Sequence, residues 1–326
     1  MSFAIETASG RYVVRRWSRL SRAAMAALAV LVIAMALVPS TLSTYASEQL
    51  TELFLLAILA AMWNALAGYG GLISIGQQAF LGIGAYATIF ITQRGVPPYL
   101  AMVIAAVVAG YFLHVALIAR SLRGGPLVPL LTTFGVAIVV QNSLLQIFSP
   151  DVRSLGATAG SITTSSWRIT DALAISWFGV LVLAVAVLVL GSLELFLKRT
   201  GLGREMRATA QDAGAAELVG VDARAVYARA TAIAVATAAL AGAFLAMRST
   251  FEPASGPTQL IFAFEAVVIG GFGSLWGTLL GGIVLGVAQT IGAHIDPQYS
   301  ILAGHLVFLI VLASPRGGTL AGGARR

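Results

Sequence analysis

The chain alternates long apolar runs with short polar connections. Eight stretches contain no Asp, Glu, Lys or Arg: 23–47, 53–93, 95–119, 124–150, 172–193, 230–247, 266–295 and 297–315. A helix needs about 20 apolar residues to cross a bilayer, so most of these stretches hold one membrane span. The stretch 53–93 and the region 260–291 each hold two spans, with breaks at 68–71 and 270–273.

This pattern predicts an all-α integral membrane protein with about ten transmembrane helices, some of them broken. A transmembrane domain covers 23–315, between a basic N-terminal segment (1–22) and a short tail (316–326). The predicted spans are approximately 23–42, 50–67, 76–93, 99–119, 126–148, 173–196, 228–247, 258–270, 276–292 and 300–313.

One long polar segment, 198–229, interrupts the apolar pattern. It carries ten of the 33 charged residues: Lys198, Arg199, Arg204, Glu205, Arg207, Asp212, Glu217, Asp222, Arg224 and Arg229. The pattern predicts one short surface helix over 203–220, with Met206, Ala210 and Ala213 on one apolar face. Gly220 suits its C-terminal cap and Asp222 the N-cap of the next helix.

A small apolar face of this kind can seat in a groove on another protein. The alternative is an amphipathic helix lying on lipid. Four acidic residues against six basic ones weaken that alternative, because anionic lipid favours a plainly basic face. The segment therefore predicts a docking element for a soluble partner.

Composition narrows the class of protein. A mean hydropathy of +0.90 with 58% hydrophobic residues lies outside the soluble range. The net charge of +7 is explained by topology rather than by nucleic acid, because the predicted spans place 16 of the 20 basic residues on the inner side of the membrane, together with the N-terminus. Both termini are then cytoplasmic. Zero cysteines and three histidines disfavour a metal centre, and the outer turn with His294, Asp296 and Pro297 is too sparse to predict one.

The chain has no means of binding ATP through a P-loop. That motif needs Gly-x4-Gly-Lys-Ser/Thr, and Lys198, the only lysine, follows Leu197 and precedes Arg199. If ATP drives this protein, a partner must bind it.

Polar and glycine residues within the apolar runs are candidates for a pathway or gate. Glu265 is the strongest, although a structural pair with a neighbouring helix is the favoured interpretation. Glycines tolerate irregular backbone, so the two breaks have either a gating or a helix-packing role. The candidates are Gly68, Tyr69, Gly70, Gly71, Gln77, Gln78, Glu265, Gly271, Phe272 and Gly273, with Asn64, Gln141, Asn142 and Gln289 as further polar positions.

Four ordered segments resemble the membrane subunits of branched-chain amino-acid ABC importers. The first is Gly68-Tyr69-Gly70-Gly71-Leu72 with its continuation to Tyr86, and the second is the polar segment from Thr200 to Val221. The others are Gly270-Gly271-Phe272-Gly273-Ser274-Leu275-Trp276-Gly277 and Pro315-Arg316-Gly317. The resemblance covers approximately 50–318. The early segment is similar to the M-type subunit and the later ones to the H-type.

The resemblance implies a permease subunit in the bacterial inner membrane that is not itself an enzyme. The polar segment would be a coupling helix held by a cytoplasmic ATPase subunit, which binds ATP and Mg²⁺; the permease needs no cofactor. A second permease subunit and an extracytoplasmic binding protein complete the expected assembly. The coupling residues would be Gly203, Arg204, Arg207, Asp212, Ala216, Glu217 and Gly220.

Two other functions stay open. The same fold serves permeases for sugars or nucleosides. A secondary transporter driven by H⁺ or Na⁺ is disfavoured because only Glu265 lies well inside a span, with Glu52 and Glu194 near span ends.

Overall fold

The computed structural model describes residues 3–6, 12–15, 44–72, 74, 76–113, 127–156, 158–163, 165–170 and 173–313. Within these residues the chain is nearly all helical, as the hydrophobic pattern predicts. The predicted span at 23–42 and the last part of the span at 99–119 lie outside the described residues.

Eleven α-helices occur in the described part of the chain. They are α1 Thr44–Asn64, α2 Gln77–Thr92, α3 Pro98–Leu113, α4 Leu127–Phe148, α5 Trp177–Arg199, α6 Gly201–Gln211, α7 Ala213–Leu218, α8 Ala223–Arg248, α9 Gly256–Gly270, α10 Leu275–Ile295 and α11 Tyr299–Ala313. A π-helical turn, Ala65–Tyr69, continues α1.

Five helical segments are long and apolar enough to cross a membrane: Thr51–Tyr69, Leu131–Phe148, Trp177–Arg199, Ala223–Arg248 and Leu275–Ala293. Three shorter apolar helices are Pro98–Tyr111, Gly256–Gly270 and Tyr299–Ala313. Each predicted span from 50 onward coincides with a described helix, while the total of ten is not established.

Two short antiparallel hairpins depart from the all-α prediction. Strands β1 (Phe3–Glu6) and β2 (Tyr12–Arg15) pair with Phe3 opposite Arg15. Strands β3 (Ser166–Thr170) and β4 (Leu173–Ser176) pair with Ser166 opposite Ser176. The predicted span at 173–196 therefore begins later, at Trp177. The Ser176 hydroxyl accepts a hydrogen bond from the Gly179 N–H and caps α5, which sets this boundary.

Helices α1 and α8 form the centre of the bundle. In each of the membrane-length segments Thr51–Tyr69 and Ala223–Arg248, 78% of the most apolar stretch is buried. Helix α8 is rich in alanine, and α2 packs closely against it. A Cβ atom at Gly84 would overlap Ala239, and one at Gly242 would overlap the backbone of Leu81. Small residues let two membrane helices approach at backbone distance.

The two ends of the bundle carry different contacts. At one end, Glu52 near the start of α1 pairs with Arg248 at the end of α8, with 3.1 Å between Oε2 and Nη1. The backbones of Arg153 and Phe251 pair at that end, with N–O distances of 2.9 and 2.7 Å. Seventeen residues of helix, about 25 Å, separate Glu52 from Tyr69, which lies beside the polar segment at the other end.

The polar segment contains two helices rather than the single helix predicted over 203–220. Helix α6 ends at Gln211, and Asp212 adopts extended backbone. The Asp212 side chain accepts a hydrogen bond from the Ala215 N–H at 3.0 Å and caps α7. The Asp222 cap of α8 is confirmed, with its carboxylate 3.1 Å from the Ala225 nitrogen. Gly220 follows the end of α7 with φ +88°.

Candidate functional site

The two glycine-containing breaks meet around the side chain of Asn64, which is fully buried. The Asn64 amide nitrogen donates to the Ser274 carbonyl at 3.0 Å and to the Thr278 hydroxyl at 2.6 Å. Its oxygen accepts a hydrogen bond from the Gly273 N–H at 2.8 Å. One side chain therefore joins the end of α1 to the start of α10. We call the segments 64–72 and 271–274 the broken-helix junction.

Glycine is required at several positions in this junction. A Cβ atom at Gly68 would lie 2.5 Å from the Gly273 nitrogen. Gly71, Gly271 and Gly273 have φ values of +67°, +92° and +74°, which side chains other than glycine rarely adopt. The sequence predicted the two breaks separately, and the structure places them in contact.

The first break contains a π-helical turn over Ala65–Tyr69. The Gly70 N–H faces the carbonyls of Ala65 and Leu66, and the Leu72 N–H bonds the Leu66 carbonyl at 3.1 Å. Wide turns of this kind are rare in helices and occur often at functional sites. No residue pattern in the sequence distinguished this turn from an ordinary break.

Aromatic rings flank the junction. The Trp63 indole N–H donates to the Ser74 carbonyl at 3.3 Å. Its ring lies 5.3 Å from that of Phe264 and 5.7 Å from that of Phe272. Phe272 remains 54% exposed, so it is the member of the junction most available to a solute or a partner subunit.

Helix α6 packs directly on the first break. The Met206 methyl group lies 3.8 Å from where a Cβ of Gly70 would stand, and the Ala210 Cα lies 3.1 Å from the corresponding position at Gly71. Met206 is 3% exposed. The prediction that this apolar face is free for a partner is therefore wrong, because Met206 and Ala210 already fill the space beside the glycines.

The predicted coupling residues divide into two groups. Gly203 and Ala216 are buried, and the Arg207 guanidinium is half-buried and donates to the Leu197 carbonyl. Arg204, Asp212, Glu217 and Gly220 are exposed. Beside this second group, Leu218 is 90% and Val219 79% exposed. This apolar pair was not among the predicted coupling residues, although two adjacent aliphatic residues within a polar segment are a signal that the sequence contains.

Glu265 is buried on α9 and pairs with α11. Its Oε1 lies 2.5 Å from the Nδ1 of His305, and the Phe262 ring stacks on His305 with 5.8 Å between centroids. The other carboxylate oxygen has no hydrogen-bond partner among the described residues. The favoured prediction of an interhelical pair agrees with this contact, with His305 as the partner that the sequence did not identify.

The remaining polar candidates lie on α2, α4 and α10. Gln77 is 1% exposed, and neither of its amide atoms has a partner in the described part of the chain. A Cβ atom at Gly256 would lie 2.9 Å from the Gln78 Cβ. Gln289 is buried on α10. Gln141 and Asn142 lie on α4, where Asn142 bonds its own helix at the Ile138 carbonyl, 2.8 Å away.

Comparison with known proteins identifies the family. Residues 45–313 match the family described as branched-chain amino acid transport system / permease component. The branched-chain amino acid permease BraD of Pseudomonas aeruginosa is 30% identical over 276 residues, 80% of this chain and 90% of the relative.

Two Escherichia coli K12 permease proteins of high-affinity branched-chain amino acid transport are also similar. LivH is 30% identical over 200 residues, covering 59% of this chain and 63% of LivH. LivM is 27% identical over 289 residues, covering 80% of this chain and 66% of LivM. The chain therefore belongs to the family of permease components of branched-chain amino acid transport systems.

Proposed function

We propose that this permease is the membrane subunit of an ATP-driven importer for branched-chain amino acids. Separate ATPase subunits bind ATP and Mg²⁺ and act on the segment 198–229. The packing of α6 on Gly70 and Gly71 carries this proposal. Because Gly70 and Gly71 have no side chains, a movement of α6 would push directly on the backbone of the broken-helix junction.

The exposed end of α7 is the proposed contact with the ATPase. Leu218 and Val219 present apolar surface, and Asp212 and Glu217 add charge beside them. Exposed apolar residues rimmed by polar ones are typical of protein interfaces. We therefore assign docking to this surface rather than to the buried Met206 face. Arg207 and Gly203 have a different role, because both contact Leu197 and hold α6 against the end of α5.

Helix α4 supports a second permease subunit as partner. Only 17% of its membrane-length segment Leu131–Phe148 is buried within this chain. Gly135, Val139, Asn142 and Gln146 recur at i, i+4, i+7 and i+11 and are all exposed. Amide side chains facing lipid are costly, so this face fits a second permease or the aqueous path between two permeases better than it fits acyl chains.

The basic residues support an inward-facing polar segment, with both termini in the cytoplasm of a bacterial cell and the permease in the inner membrane. Arg153 and the pair Glu52–Arg248 then lie at the outer face. An extracytoplasmic binding protein would deliver the amino acid to that face.

Reconstitution of the full importer tests the proposal. Proteoliposomes containing both permeases and both ATPases, with binding protein outside, are expected to accumulate L-leucine only with ATP. Omission of the ATPases should abolish accumulation, and a proton or sodium gradient should not replace ATP. Gradient-driven uptake without ATPases, or uptake of fructose in place of leucine, would contradict the proposal.

The role of the α7 end is tested in the same vesicles. Leu218→Ser with Val219→Ser should lower leucine uptake at least tenfold and weaken co-purification of the ATPases. Gln211→Ser, an exposed change on the neighbouring helix, is the matched control and should leave both measurements within twofold of wild type. Normal uptake by the double variant would remove this surface from the proposed interface.

A further inference from the structure

A small cavity lies at the proposed outer face, between the end of α2 and the segment that follows α4. Its volume is about 220 Å³, and its polar lining comes from Thr92, Gln93, Arg153, Ser154 and Thr158. Drug-sized ligands occupy pockets of about 300–1,000 Å³, so this cavity suits a smaller solute. None of these residues belongs to the broken-helix junction or to the polar segment 198–229.

Two polar atoms in the cavity wall lack partners. The Thr92 side chain is 7% exposed, and neither its hydroxyl nor the Nε of Arg153 has a hydrogen-bond partner within the described residues. Buried polar groups are almost always paired in folded proteins. A ligand that accepts hydrogen bonds could therefore supply the partners that these two donors lack.

The Arg153 side chain is held in place by its surroundings. Its backbone pairs with Phe251 in both directions. Its Nη2 donates to the Phe148 carbonyl at 3.1 Å, and its guanidinium lies 5.5 Å from the centre of the Phe148 ring. These contacts hold the guanidinium in place beside the cavity, so little side-chain entropy is lost when a ligand binds.

The charge of this site favours an anionic group. Arginine remains protonated in proteins, and among the described residues Arg153 forms no ion pair with a carboxylate. Asp151 lies two positions before Arg153, and Glu252 follows Phe251, the backbone partner of Arg153; both acidic residues are exposed. Guanidinium groups bind carboxylates and phosphates with charge-assisted hydrogen bonds, and a carboxylate is the anion that a free amino acid carries.

We propose that this cavity binds the carboxylate of a small solute, with Arg153 Nε and the Thr92 hydroxyl as donors. It is an outer site that binds the amino acid transiently before the amino acid enters the permease. This assignment of the solute rests on the function proposed above. We assign the carboxylate to a free amino acid rather than to an acidic side chain of the binding protein, because the cavity volume is only about 220 Å³, and the test separates these two sources.

Saturation-transfer NMR on the complete importer in nanodiscs, without binding protein, measures the site directly. L-leucine should receive saturation from the wild-type complex, and L-leucinamide, which lacks the negative charge, should receive several-fold less. Arg153→Gln should remove the leucine signal, and Thr92→Val should reduce it while Thr92→Ser retains it. Arg94→Gln is the matched control, since Arg94 is exposed over the Phe90 ring, 3.7 Å from its centroid, and does not line the cavity.

Several outcomes would overturn this site. Equal signals from leucine and leucinamide, no leucine signal from wild type, or an unchanged signal in Arg153→Gln would each do so. If Arg153→Gln or Thr92→Val weakens binding of the isolated binding protein but leaves the leucine signal unchanged, the carboxylate belongs to the binding protein. That result would also overturn the site. Failure of the proposed function would appear differently, as wild-type vesicles that accumulate no leucine with ATP. Size-exclusion profiles of Arg153→Gln and Thr92→Val establish that each complex is intact.

Discussion

The Asn64 side chain accepts a hydrogen bond from the Gly273 N–H at 2.8 Å, across 209 positions of sequence. The same amide donates to Ser274 and Thr278. Because these partners lie at the break between α9 and α10 and in the first turn of α10, a single residue of α1 joins the two broken regions. One buried amide therefore ties the junction together.

Asn64→Leu should destabilise the junction. The substitution leaves the Gly273 N–H and the Ser274 carbonyl without their buried partner, and each unsatisfied group costs about 1–3 kcal/mol. We expect a lower melting temperature of the purified complex and at least tenfold slower leucine uptake. Gln298→Leu is the control, because Gln298 is exposed in the short turn between α10 and α11 and lies far from the junction in the chain. Equal stability of the two variants would contradict the role of Asn64.

Gly68→Ala should be poorly tolerated, since its Cβ would meet the Gly273 nitrogen at 2.5 Å. Overpacking of this kind costs about 1–3 kcal/mol. Gly191→Ala, at a helical position with no described atom within 4 Å of the added carbon, should be neutral or slightly stabilising. Thermal unfolding of both complexes compares the two sites, and tolerance of alanine at 68 would show that the two breaks separate easily.

Asp212→Ala should weaken coupling by removing the N-cap of α7. Loss of such a cap costs about 1 kcal/mol, whereas asparagine caps as well as aspartate. We expect Asp212→Ala to lower the ratio of leucine transported to ATP hydrolysed, and Asp212→Asn to restore it. If both substitutions lower the ratio equally, the negative charge rather than the cap is required.

Glu265 and His305 should behave as a coupled pair. Removal of His305 leaves the buried Glu265 carboxylate without its partner, whereas apolar replacement of both residues is better tolerated. In a double-mutant cycle of Glu265→Leu and His305→Leu, the two changes should couple by about 0.5–3 kcal/mol in the stability of the complex. Loss of uptake in Glu265→Leu at unchanged stability would instead place this carboxylate on the path.

Much of the architecture follows from local sequence. The apolar stretches located the helices α1 to α5 and α8 to α11, because an apolar run of membrane length has few other stable conformations. The Asp222 cap was recognisable because capping is a contact between near neighbours. The same local reasoning failed at Asp212, where a cap in the middle of the segment was assigned to a continuous helix.

The contacts between distant segments could not be obtained in this way. Gly68 and Gly273 were recognised as breaks, but their contact depends on how α1 packs against α9 and α10. Met206 was expected to face a partner, and the tertiary structure instead buries it against Gly70. Thr92 and Arg153, 61 positions apart in the chain, meet at one cavity.

The sequence alone therefore determined that this is a helical membrane protein, where its helices break and where its charges gather. Hydrophobic transfer to lipid and backbone hydrogen bonding are local requirements, so a single sequence records them. The tertiary structure decided which breaks contact each other, which helix faces are buried within the chain and which helix faces remain exposed. Those outcomes depend on packing between helices that are far apart in the chain, where the shape of each surface matters more than its hydropathy.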